Sequence, residues 1–170
     1  LLRVASSLTK ISNDLRWMNS GPVSGLSEIT LKPLQPGSSI MPGKINPVIP
    51  EAVLMAMAQV TGHHSAINIA CISGNFQLNT MLPLISKNII ESFNLLINSV
   101  YSLADTIDTF KVNKKNIQLN LEKNPIIATK LNETIGYDLA SKIVKEAYKT
   151  NKSIIDITEE KTNLTRSQIL

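Results

Sequence analysis

The sequence holds one cysteine, Cys71, set inside an apolar run. That excludes an internal disulfide framework and suits a reducing compartment, cytoplasmic in the first instance with a mitochondrial one also compatible. Aromatic residues are scarce at 4% of the chain, and the net charge of +4 comes from lysines that are scattered rather than clustered. A nucleic-acid surface needs a basic stripe with stacking aromatics, so that class is not expected. A mild positive balance still favours a small anionic substrate. The longest apolar stretches are broken by Gln59, Gly62, His63 and His64, so no membrane span is expected. Internal repeats, low-complexity tracts and metal-ligand spacings are missing too. The opening "LLRVASSLTK" lacks the basic start and pure apolar stretch of a secretory signal. It begins in mid-pattern, without a methionine or a helix cap, and leads us to expect a piece of a longer protein.

What is present is helical periodicity. Leu1, Val4, Leu8, Ile11, Leu15 and Met18 alternate at three and four residues, the spacing of one helix face. "SGPVSG" ends that helix. Residues 20–46 read as a long irregular connection with a short extended piece at Ser27–Leu31, and connections of such length in a compact domain are usually functional. "EAVLMAMAQVTGHHSAINIACI" is apolar nearly all round, so other helices should enclose it. Ile85, Ile89, Phe93, Leu96, Val100, Leu103, Ile107 and Phe110 then keep near-heptad spacing, predicting a long bundle helix. Beyond Lys111 the composition turns polar and the amphipathic pieces shorten, the clearest being Tyr137–Tyr148 behind Gly136. The expected architecture is all-α: residues 1–110 as part of a long-helix bundle and 111–170 as a small helical domain. Three long helices cannot cover one that is apolar on every side, so oligomerisation is expected.

The loop "QPGSSIMPGKINPVIPE" (35–51) concentrates unusual chemistry. Pro36–Gly37 and Pro42–Gly43 bracket Ser38, Ser39, Ile40 and Met41 as turn signals. Backbone amides beside glycine can face an anion unobstructed. Lys44 adds a compact cation. Asn46 is placed to cap the following helix, with Pro47 in its first turn and the positive helix end directed at the loop. Glu51 falls in that first turn. Such a loop suits a carboxylate or a phosphate. A serine hydroxyl becomes a usable base only where a cation and oriented amides stabilise its alkoxide, and Ser38 near Lys44 meets that condition. On composition alone, a proline-punctuated surface turn is the commoner explanation.

The loop "GSSIMPGKINP" resembles the signature of the fumarase/aspartase superfamily, Gly-Ser-Ser-x-Met-Pro-x-Lys-x-Asn, at every fixed position. "KISNDLRWMNSGP", "GLSEI", "SGNFQLN" and "LNETIGYDLASKIVKEAYK" extend the resemblance over essentially the whole chain and point to the class II fumarate hydratase family. The resemblance implies the central helical bundle (1–110, with the loop at 35–47) and a truncated small C-terminal domain (111–170). It implies reversible addition of water to fumarate, giving malate, through an aci-carboxylate carbanion. Carried over by position, Ser38 would be the proton-abstracting base. Lys44, Asn46 and Ser39 would bind substrate, and Glu51 would orient a histidine supplied by another segment. Gly37 and Gly43 would be hinges of a closing loop. A homotetramer, no metal and no organic cofactor are implied as well. The missing signature regions would lie before Leu1, leaving the isolated chain inactive. "SGPVSG" departs from many relatives by placing Val23 where they carry arginine.

Two other readings compete. Aspartase shares the loop and "NPVIPE", although "SGNFQLN" and "LNETIGYD" favour fumarase. A non-catalytic helical oligomerisation protein, like the lens crystallins of the superfamily, has no need of Ser38, Lys44 and Asn46 together. His63 and His64 read as buried or interface residues rather than substitutes for the absent histidine. Asp14 and Arg16 do not face each other on a helix and should find separate partners. Asn75 and Gln77 fit helix-junction bonding better than a site, and Met41 is expected to pack under the loop.

Overall fold

The computed structural model describes residues 1–35, 41, 43 and 45–169, the side chain of Lys123 excepted. Ten elements are formed among the described residues, eight of them helices. The chain divides into two compact units, Leu1–Val112 and Asn113–Leu170.

In the first unit, α1 (Leu2–Met18), α2 (Val48–Cys71) and α3 (Leu82–Thr109) are the long elements. A two-residue strand β1 (Ile29–Thr30) pairs antiparallel with β2 (Lys111–Val112), Ile29 opposite Val112 and Thr30 opposite Lys111. The α1–α2 and α2–α3 pairs carry most of the packing. The core is Ala5, Leu15, Ile29, Leu31, Val53, Met57, Val60, Leu96 and Leu103. Val53, Met57 and Val60 recur at four and three residues, one stripe of α2.

The helices meet through smaller residues than their apolar stripes suggested. On α1 the buried positions are Ala5, Ser12 and Leu15, while Leu1, Val4 and Ile11 are exposed. On α3 they are Asn88, Ser92, Leu96, Ser99 and Leu103, and Phe93, Val100 and Ile107 stay about half exposed. Small side chains let helix axes approach closely. The polar ones turn their hydrogen bonds back into their own helix, Ser92 Oγ to the Asn88 carbonyl and Asn88 Nδ2 to that of Leu84. Ser12 Oγ alone among the described buried polar side-chain atoms has no partner. Within this chain α2 is not enclosed: Met55 and Ile69 are largely exposed.

The link from α1 to β1 is tied by short bonds. Ser20 Oγ donates to the Trp17 carbonyl at 2.6 Å and accepts from the Leu26 amide at 3.0 Å. The Leu31 amide donates to Asn19 Oδ1 at 2.9 Å. Gly25 has φ +152° and lies so close to Ser20 that a Cβ would stand 2.6 Å from its carbonyl carbon, so only glycine fits.

The second unit contains α4 (Lys114–Lys123), α5 (Ile126–Ile135), α6 (Tyr137–Thr150), α7 (Ile154–Lys161) and α8 (Arg166–Ile169). Gly136, at φ +79°, ends α5 and starts α6. Ser153 caps α7 by accepting from the Asp156 amide at 3.0 Å. Ile127, Leu131, Ile143, Ala147, Ile154, Ile155, Ile157 and Ile169 form its core. Arg166 gathers carboxylates from two helices, Glu122 Oε2 at 2.7 Å and Asp156 Oδ1 at 3.2 Å. No helix among the described residues is long and apolar enough to cross a membrane.

Candidate active-site loop

Four of the residues singled out in the loop, Gly37, Ser38, Ser39 and Lys44, lie outside the described residues. Its margins are described. Gly43 adopts φ +80° with open space around its Cα, a conformation that favours glycine. Together with Ile45 it borders a small cavity of about 60 Å³ that also touches Asn19, Gly21, Pro22 and Ser27. The far margin of the loop thus sits against the turn that leaves α1. Met41 is 53% exposed rather than packed beneath the loop.

At the start of α2 the cap position falls on Pro47, not on Asn46, and the proline makes no side-chain cap bond. Asn46 contributes its backbone carbonyl, which accepts from the Val48 amide at 2.9 Å. Proline at the cap position offers no amide of its own and shifts the helix start one residue beyond the asparagine. Asn46 instead lines a cavity of about 380 Å³ with Leu31, Lys32, Val48, Ile49 and the last turns of α3, among them Asp105 and Asp108.

Glu51 does occupy the first turn of α2, where the positive helix end favours a carboxylate. Its side chain is half exposed, and the nearest described cation is Arg16 of α1, Nε to Oε1 3.9 Å. Arg16 also donates to Asn13 Oδ1 at 3.2 Å, whereas Asp14 pairs with Lys10 one turn earlier. Asp14 and Arg16 therefore have separate partners. Sequence reasoning missed that Arg16 reaches the start of α2, because the two residues are far apart in the chain and no local pattern joins them. Asn19 was missed likewise, although "MNSGP" invites a polar side chain to close the turn.

The remaining candidates fall away from the loop. His63 is buried and bonded to α3. Asn75 pairs through its backbone with Leu78 in the α2–α3 turn, where Asn79 Nδ2 donates to the Ala70 carbonyl at 2.9 Å. Val23 is almost fully exposed. Among the described residues no group of three or more His, Cys, Asp or Glu is placed to hold a metal ion.

Residues 1–62 match the Lyase family model, and residues 127–169 match that of the fumarase C C-terminus. A class II fumarate hydratase of Xylella fastidiosa is 55% identical over 95% of this chain and 34% of its own length. One from Pseudomonas aeruginosa is 53% identical over 99% and 37%. Among solved structures, a fumarate lyase/delta crystallin from Brucella melitensis superposes with a TM-score of 0.91 at 41% identity, covering 99% of this chain and 36% of that one. The class II fumarase of Schistosoma mansoni gives 0.83 at 36% identity, over 96% and 34%. Long packed helices and these matches define the all-α fold of the fumarate lyases. More narrowly, over nearly its whole length the chain is similar to class II fumarate hydratases of the fumarase/aspartase superfamily. It spans about a third of the length of the curated relatives it matches.

Proposed function

We propose that this chain supplies the signature loop and central helices of an enzyme that interconverts fumarate and malate. The observation that carries the reading is the complete "GSSIMPGKINP" loop in a chain 55% identical to a class II fumarate hydratase. In the malate-to-fumarate direction, Ser38 removes a proton from the carbon beside one carboxylate. The electron pair moves into that carboxylate as an aci-carboxylate dianion, and hydroxide then leaves from the neighbouring carbon. Charge grows on the carboxylate during this step, so amides, Lys44 and the positive end of α2 aimed at it lower the barrier. Lys44, Asn46 and Ser39 hold substrate. Glu51 orients a histidine from outside this chain, and Gly37 and Gly43 let the loop close.

Residues 1–110 act as part of the central bundle and 111–170 as the small C-terminal domain. The exposed apolar faces of α2 and α3 support a homotetramer, in which further helices cover them. The setting is the cytoplasm, and the chemistry needs no metal or organic cofactor.

Adding malate to the full-length protein should raise fumarate absorbance, and adding aspartate should not. An aspartate-dependent rise would assign the ammonia-lyase reaction instead. Silence with both would leave a structural protein.

A further inference from the structure

Far along α2 from the loop, a buried histidine stands outside the proposed chemistry. His63 is 7% exposed. Its Nδ1 lies 3.1 Å from Ser92 Oγ on α3. Ser92 Oγ donates its own hydrogen to the Asn88 carbonyl at 2.7 Å. A hydroxyl has one proton, so Ser92 can only accept from the ring, and Nδ1 must carry a hydrogen. The other nitrogen, Nε2, then faces Glu91 Oε2 at 3.5 Å. Without a proton it sets a lone pair against a carboxylate. With one it becomes a charge-assisted donor across the helix pair. Ser92 is no nucleophile here, being 1% exposed with its hydrogen already committed.

We propose that His63 is a proton-dependent fastener between α2 and α3, closed when Nε2 is protonated and released when it is not. On α3 the charged groups facing the ring are Glu91 and, through it, Lys87, whose Nζ is 3.8 Å from Glu91 Oε1. On α1, the other helix packed on α2, Lys10 and Asp14 lie near Thr61 and pair with each other, and Arg3 is exposed. On α2 itself His64 is adjacent and half-buried. Among the described residues Glu91 is therefore the carboxylate that senses the proton. Histidine is the side chain that changes charge in this way near neutrality.

The test uses the intact chain. Long-range imidazole ¹⁵N spectra at pH 8 should show His63 with its hydrogen on Nδ1. Amide exchange in α2 and α3 around Ser92, corrected for intrinsic rates, should slow about threefold from pH 8 to pH 6, the scale of a partly exposed ion pair. In Glu91→Gln, a surface change that keeps the side-chain shape, that slowing should vanish. A hydrogen on Nε2 at pH 8, no slowing in the natural chain, or equal slowing in Glu91→Gln would each overturn the proposal.

Discussion

The two units of this chain bury their apolar residues in opposite ways. The small unit turns isoleucines inward: Ile143, Ile154, Ile155, Ile157 and Ile169 are all at most 1% exposed. Around them runs a collar of ion pairs, Lys152 with Glu160, Lys161 with Glu146, and Arg166 with Glu122 and Asp156. The long-helix unit closes its contacts through Ala5, Ser12, Ser92 and Ser99 and leaves Met55, Ile69, Phe93, Ile97 and Tyr101 substantially outside. Short helices can wrap a core completely. Long ones packed through small residues keep their large apolar side chains on further faces, and faces of that kind mark sites of association. The small unit leaves Ile126, Tyr137 and Tyr148 outside as well, so the contrast lies in which side chains line the contacts, isoleucine in one unit and alanine or serine in the other.

The sharpest way to break this contrast is to truncate one large side chain in each unit and unfold the chain with denaturant. Ile155→Ala removes fully enclosed volume and should cost about 2–5 kcal/mol. Phe93→Ala removes a ring that is half in water and should cost less than about 1 kcal/mol, because little of its surface leaves solvent within the chain. The same Phe93→Ala change should weaken association of the full-length protein, read by sedimentation. Equal losses of stability from the two variants would erase the distinction.

A smaller effect separates the units at their helix starts. Ser153→Ala deletes the side-chain cap of α7 and should lower the stability of the small unit by about 1 kcal/mol. The cap residues of the three long helices, Leu1, Pro47 and Met81, make no such bond.

Acid should also act first on the small unit. Hydrogen bonds from Gln118 and then Arg166 hold the Glu122 carboxyl below its ordinary value of 4.5. A group held lower in the folded state contributes stability above its unfolded pKa and loses it as the pH falls through the folded one. Thermal melts should thus show the natural chain losing stability below about pH 4.5, and Glu122→Gln losing less over the same range. The smallest expected change lies in the other unit. Ser12→Ala removes a buried hydroxyl that lacks a partner and should leave stability unchanged or raise it by up to about 1 kcal/mol.

Much of this helical fold was legible because its elements are long and their punctuation is strong. Periodicity marked α1 and α3, and "SGPVSG" and Gly136 marked ends that the structure places there. Which face each helix buries was less legible. Phe93, Val100 and Ile107 continue the apolar stripe of α3, yet the neighbouring helix docks on Ser92 and Ser99, since close approach selects small residues over hydrophobic ones. The capping role given to Asn46 failed for a local reason, the proline that follows it taking the cap position. Separate partners for Asp14 and Arg16 followed from helix geometry, but the meeting of Arg16 with Glu51 depends on tertiary packing that no short spacing encodes. In the loop, residue chemistry alone reached an anion-holding turn. The assignment of Ser38 as base came from the family resemblance.

That assignment is tested most directly by turnover of malate in the full-length protein carrying Ser38→Ala, with bound inhibitor titrated in parallel. The account predicts a fall in kcat of about 10² or more with inhibitor affinity nearly preserved, as expected on removing a base rather than a binding group. A loss of less than about tenfold would contradict it, since a positioned proton acceptor contributes more than that.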